Sequence, residues 1–312
     1  MRSSMRMTGW LRLAEMFACM LVLSLTPLAA QAAAPKTFPT PEEAVVALVD
    51  AAQANNTDEL LAILGPDGKK VLSSGDPVDD KNAREVFLVA YEEAASLEPD
   101  GEGKETLYIG HEDWPFPIPL VKAGGGWQFD TEAGVEEVLF RRIGSNEFST
   151  IRACAAYVAA QKEYARKGRD GKPAGRFAQK FVSAPGQHNG LYWKVDEGEE
   201  LSPLGELVAE ATDEGYALPE GKRTPFHGYF FRILTAQGKD AKGGAKSYIT
   251  NGEMRSGFAL VAFPADYGSS GVMTFIVNQD VVIYEKDLGS ETAKIAGEMK
   301  EYDPDKTWTR SE

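Results

Sequence analysis

Leu120–Asp130 reads LVKAGGGWQFD. Leu120 to Ala123 suits a strand, three consecutive glycines follow, and Trp127-Gln128-Phe129 resumes the extended pattern. Glycine reaches positive φ without steric cost, so Gly124-Gly125-Gly126 reads as the turn of an antiparallel hairpin. The run is no phosphate cradle, because it lacks a Lys-Ser/Thr ending and joins two strands rather than a strand and a helix. Upstream, Glu105–Gly110 (ETLYIG) reads as a strand and Trp114–Val121 (WPFPIPLV) as another. Prolines at 115, 117 and 119 remove ladder donors, making the second an edge or irregular strand.

Helices precede the hairpin. Thr40 is a candidate N-cap followed by Pro41, Glu42 and Glu43, and Val45, Leu48, Val49 and Ala52 recur at helical spacing. A second helix follows Asn56-Thr57, carries Leu60, Leu61 and Leu64 and stops at Gly65-Pro66. A third is expected from about Asp80 to Leu97 with Pro99 closing it. Helices followed by an aromatic hairpin resemble the cone-shaped α+β fold of the nuclear-transport-factor-2-like and cystatin-like groups.

Downstream, Glu132 to Lys167 is helical with an expected break or kink at Gly144. Phe148, Ile151, Cys154, Ala155, Val158 and Tyr164 form an apolar stripe interrupted by Gln161. Residues 168–190 read as an irregular loop, and Pro203 as the first residue of another helix. Five strands are expected at 229–236, 245–250, 257–263, 272–278 and 281–285, in an antiparallel meander with a hairpin loop at Asn278-Gln279-Asp280. A short helix over 292–299 and a docked tail over 302–308 end the chain. The fold class is therefore α+β, with an N-terminal domain over 33–145 and a C-terminal domain over 146–312.

The start of the chain sets the expected compartment. Arg2, Arg6 and Arg12 precede an apolar run from Met16 to Leu28, and Ala30-Gln31-Ala32 offers a small-x-small cleavage pattern. That run is shorter than the roughly 20 residues a spanning helix needs, so residues 1–32 read as a signal peptide and the product as periplasmic or secreted, without a membrane anchor. The formal charge is −14, and about −16 once residues 1–32 are removed. Such a chain repels nucleic acid. Cys19 leaves with the signal, so Cys154 has no intramolecular disulfide partner.

Several blocks, among them FPTPEEAVVALVDA, GLYWKVDEGEELSPLG, PFHGYFFRILTAQG and GFALVAFPADYGSSGVMTFIVNQD, resemble a bacterial exported family catalogued as domain of unknown function 2950. The resemblance covers nearly all of the chain beyond residue 32. One departure stands out: Gly is expected after Asp280, and Val281 occupies the position, so either the turn differs or Val bears strain. Residues 146–285 also resemble, more weakly, the globular half of type IV pilins and pseudopilins, in which an amphipathic helix packs on an antiparallel sheet. The apolar half of the pilin helix is missing, since residues 132–147 are charged. That resemblance implies a pilin-like C-terminal domain, or an accessory of a pilus or secretion system.

Chemistry-bearing motifs are scarce. Neither GxSxG nor SxxK nor Cys-x-x-Cys occurs, which argues against the commonest hydrolase and redox classes. Cys154 lies among alanines at mid-helix and reads as a protonated core thiol. His111-Glu112-Asp113 cannot close a tetrahedral site alone, and Asp76, Asp79 and Asp80 lack EF-hand spacing, so both groups read as solvated loops. No catalytic residue, metal ligand or cofactor is assigned. The candidate ligand or partner surface is aromatic: Trp114, Phe116 and Trp127 around the hairpin, then Tyr192, Trp193, His227 and Tyr229. His227, beside Gly228 at the start of a strand, ranks first. The expected function is a non-enzymatic envelope protein that binds a partner protein or small ligand; the rival is a hydrolase or isomerase centred on His227.

Overall fold

The computed structural model describes residues 34–196, 198–217 and 224–311, so the expected signal peptide lies outside the described residues. The first half contains α1 (Pro41–Gln53), α2 (Thr57–Leu64), α3 (Gly68–Leu72), α4 (Pro77–Glu93), β1 (Ala95–Pro99), β2 (Lys104–Ile109), β3 (Trp114–Pro115), β4 (Leu120–Ala123) and β5 (Gly126–Phe129). The long α5 (Thr131–Arg166) and α6 (Gly205–Asp213) follow, then β6 (Tyr229–Leu234), β7 (Ala236–Gln237), β8 (Lys246–Ser247), β9 (Ile249–Thr250) and β10 (Glu253–Met254). The chain closes with β11 (Ala259–Pro264), β12 (Met273–Asn278), β13 (Ile283–Asp287), α7 (Thr292–Glu298), β14 (Glu301–Tyr302) and β15 (Thr309–Arg310). All described residues belong to one compact α+β unit.

The hairpin forms with a tighter turn than three glycines suggest. Gly124 and Gly125 alone occupy it, at φ +59 and +86, the double-positive geometry of a two-residue turn. Gly126 is already in β5, paired with Ala123, and a Cβ there would lie 2.7 Å from the carbonyl oxygen of Phe38. Its role is close approach: Phe38 exchanges backbone hydrogen bonds with Trp127 across it. The first sheet runs β1-β2-β4-β5, antiparallel, with β3 on β2. Leu48, Leu60, Ile63, Leu107, Leu120 and Phe129 make its core with α1 and α2. Thr40 and Asn56 cap those helices, each accepting from the backbone N–H three residues on.

Two expected elements change. The strand at 114–121 is split into β3 and β4, because prolines 115, 117 and 119 cannot donate to a ladder; Phe116 donates to Leu107 between them. The third helix starts at Pro77, capped by Asp76, and stops at Glu93, while Ala95–Pro99 turns extended and pairs with Glu105–Ile109. Sheet pairing there overrides helical spacing, as tertiary context does over weak propensity.

Helix α5 is continuous through Gly144, contrary to the expected break. One glycine costs about 1 kcal/mol, which anchoring on both sides outweighs. On one side Gly134 sits so tightly that a Cβ would meet the Pro117 carbonyl at 2.5 Å. On the other, Cys154, Tyr157, Val158 and Ala160 join the second core. The expected boundary at 145/146 thus falls inside a helix that serves both cores. Phe148 and Ala155, expected on the buried stripe, are exposed instead; buried Asn146, Thr150 and Gln161 are tolerated because each is hydrogen-bonded.

The second sheet runs β15-β13-β12-β11-β6 and is antiparallel throughout. Every residue of β11 is buried, with α5 and α7 both packed on it. The meander is interrupted between β6 and β11 by an excursion in which the expected strand 245–250 is reduced to β8 and β9, and β7 pairs in parallel with β14. Helix α6 begins at Gly205 behind Leu204, so Pro203 precedes the helix rather than opening it. Val281 keeps the left-handed backbone, at φ +68.

Candidate functional site

A cleft of about 550 Å³ opens between the helices of the first core, the Trp114–Pro117 segment and the first half of α5. Leu60, Leu64, Phe87, Phe116, Ile118 and Val138 give it an apolar floor. Phe116 is fixed by ring contacts to Phe87 at 5.3 Å and Phe129 at 6.2 Å between centroids. Trp114 stands at the mouth, half exposed, with the Arg141 guanidinium 4.8 Å from its ring centroid, and Arg141 is held by Glu137 at 2.6 Å.

One end of the cleft is polar, lined by Asp79, Asp80, Arg84, Arg142, Ser145 and Asn146. Arg142 donates to the carbonyls of Lys70 and Val71, tying α5 to α3, and burial lowers its pKa. Burial chiefly, then the neighbouring Asp76, raises that of Asp79, against the opposing pull of His227 and Arg142. The Nε of Arg84 is buried with no hydrogen-bond partner.

Behind this end lies a buried junction. One carboxylate oxygen of Asp76 accepts from Val78 N and Asp79 N, capping α4. The other accepts from the Tyr216 hydroxyl and from Gly228 N, both at 3.0 Å. The same hydroxyl accepts from His227 N at 3.1 Å. His227 and Gly228 are both at positive φ, and a Cβ at 228 would lie 2.5 Å from Asn146 Nδ2, so glycine is required there. The His227 Nε2 lies 3.1 Å from a Glu214 carboxylate oxygen. That oxygen is close enough for an ion pair with a protonated imidazole but is not aligned as a hydrogen-bond acceptor.

A second cavity, of about 320 Å³, lies within the second core and is almost wholly apolar, with Tyr157, Phe181, Tyr192, Leu207, Phe226 and Phe231 among its walls. The sequence-selected residues are therefore dispersed. Trp114 and Phe116 share the cleft, and Tyr192 lines the second cavity. Trp127 is half-buried against the first core, beside Phe38. Trp193 is half-buried between the Arg169 guanidinium and the His188 ring, each 4.7 Å from its centroid. His227 belongs to the junction.

Tyr229 is not a surface residue: it is fully buried, donates to the Met273 carbonyl at 3.0 Å and packs on Phe275. Asp76 is likewise no solvated loop residue but a buried acceptor with four partners. Its sequence signal was the Asp-Pro pair that opens α4; the signal for Tyr216 was absent. Cys154 is fully buried, and desolvation pushes its thiol up to about 12, as a core cysteine requires. His111, Glu112 and Asp113 are exposed, and no group of three metal-ligating side chains occurs among the described residues. No described helix is long and apolar enough to cross a membrane.

No curated protein and no solved structure matches the chain. Residues 35–311 match the model of the family described as Protein of unknown function (DUF2950), and the chain belongs to that family.

Proposed function

We propose that this is a non-enzymatic binding protein of the cell envelope, exported by the signal at 1–32, that holds a small ligand in the cleft of its first core. The reading rests on one observation: a roughly 550 Å³ apolar trough carries Arg141 beside Trp114 at its mouth and, at its polar end, Arg84 and Arg142 together with Asp79 and Asp80. Its size is that of small-molecule sites, which combine apolar walls with a few orienting polar groups. The fitting ligand has an apolar body and one acidic group. In fold terms the first core is cone-like, in the manner of nuclear-transport-factor-2-like or cystatin-like domains, and the second is pilin-like, with α5 laid on β11 and β12. The test is a fluorescence titration with the anionic aromatic probe 1-anilinonaphthalene-8-sulfonate, followed by displacement with a medium-chain carboxylate. Leu60→Trp, which fills the trough, and Trp114→Ala at its mouth should each weaken binding, while Leu207→Trp in the second cavity should not. Binding lost only in Leu207→Trp, or no binding at all, would sink the reading.

A second reading is acid–base catalysis, favoured by the convergence of Asp79, with its raised pKa, on the His227–Glu214 pair near the polar end of the cleft. Full phenotypic complementation by a normally folded His227→Ala variant would eliminate it.

A further inference from the structure

Helix α5 shows solvent a face at odds with its charged flanks. Phe140 is 76% exposed and Phe148 64%, the two most exposed aromatic side chains among the described residues. Gly144 lies between them with nothing within 4 Å of where its Cβ would be. The face is symmetric about that glycine. Phe140 and Phe148 stand four residues to either side, exposed Glu136 and Arg152 eight, and exposed Ala133 and Ala155 eleven. In a helix these steps are about 6, 12 and 16 Å along the axis. Neither Glu136 nor Arg152 forms an ion pair with another described residue, whereas Glu137, one position off this ridge, is engaged by Arg141.

We infer that this face is a homodimer interface: a second copy of the chain lies antiparallel across it, with the two-fold axis passing beside Gly144. An isologous contact must be self-complementary, and this one is. Reversing the partner helix about residue 144 brings Phe140 of one copy beside Phe148 of the other, and Glu136 level with Arg152, twice over. The missing side chain at 144 lets the axes approach at the crossing point. The row Glu136–Phe140–Gly144–Phe148–Arg152 is a four-residue ridge, which packs between its counterpart's ridges at the commonest helix-crossing angle. A partner of unrelated sequence would need none of this symmetry. The opposite charges at the two ends disfavour a parallel pairing in register, which would set Glu136 on Glu136 and Arg152 on Arg152. One helix face is small for an interface, so the dimer is weak and forms as concentration rises.

Sedimentation equilibrium of the purified protein over a wide concentration range tests this. Wild type should pass from monomer to dimer. Phe140→Ser and Phe148→Ser, both at exposed positions, should keep the wild-type melting profile yet weaken association about tenfold or more. Glu136→Arg alone and Arg152→Glu alone should each weaken it about fivefold at low salt, and the double reversal should restore it. That rescue cannot come from a folding defect. A protein monomeric at every concentration overturns the inference. So does a dimer indifferent to all four substitutions, whose contact then lies elsewhere, or one that the charge swap fails to rescue.

Discussion

Val281 carries the clearest strain attributable to a single side chain. A β-branched residue at φ +68 crowds its Cβ against the following peptide, a cost of about 1–2 kcal/mol that glycine would not incur. The backbone keeps the turn because Asn278 fixes it from both ends: its side chain accepts from Asp280 N and its carbonyl from Val281 N. The side chain of Val281 is half exposed and contributes little packing in return. Val281→Gly should therefore stabilise the protein by about 1 kcal/mol net of glycine's extra chain entropy, a rise of about 2 °C in Tm by calorimetry. A lowered Tm would mean that the valine packing outweighs the strain. The position was legible from sequence as a misfit; which of the two alternatives held, a reshaped loop or a strained residue, needed the neighbouring Asn278 contacts.

At the scale of elements, sequence patterns served best where the deciding chemistry is local. The caps at Thr40 and Asn56, the glycine turn and the proline-broken strand all follow from residues within a few positions of one another. They failed where a distant segment decides. Leu97 looked helical until β2 claimed it, and the face of α5 that is buried could not be fixed by counting apolar residues. Gln161 shows why. It interrupts an apolar stripe, yet it is fully buried, because its side-chain amide pairs with both the N–H and the carbonyl of Ala178, 17 residues away, and donates to the Tyr157 hydroxyl. The irregular chain after α5 has no ladder of its own at that point, and the amide substitutes for a strand neighbour. Gln161→Leu has nearly the right volume but orphans two backbone groups, so it should destabilise by about 3 kcal/mol in urea unfolding. A cost under about 1 kcal/mol would show that water reaches Ala178.

Over the whole molecule, two cores are joined by α5 and by the Asp76 junction, and both the cleft's polar end and the cooperativity of folding depend on that joint. Asp79 sets the pH dependence there. Its pKa is raised in the folded state, so the native protein holds that proton more tightly than the unfolded chain. This contribution to stability is fully present below the ordinary aspartate range, where both states are protonated, and is lost as pH climbs from that range through the raised value. Asp79→Asn should flatten that slope in a pH series of melts; an unchanged slope would assign it to another group. Asp76 is the latch itself. Its contacts to Tyr216 and Gly228 span 140 and 152 residues, too far apart for any local pattern to reveal. Wild type should unfold in one transition seen alike by tryptophans of the first core, Trp114 and Trp127, and of the second, Trp193 and Trp308. Asp76→Ala removes a helix cap and leaves a buried N–H and hydroxyl unpaired, a loss of about 3 kcal/mol or more. Asp76→Asn keeps the capping oxygen and should fall between. Because the lost bonds run between cores rather than within one, the alanine variant should melt in two steps, the first core ahead of the second. Single-tryptophan variants would resolve them, and one undivided transition at lower temperature would show that α5 and the remaining contacts, such as Asn82 to the Glu214 carbonyl and Ser269 to the Ser73 carbonyl, are enough to couple the two halves.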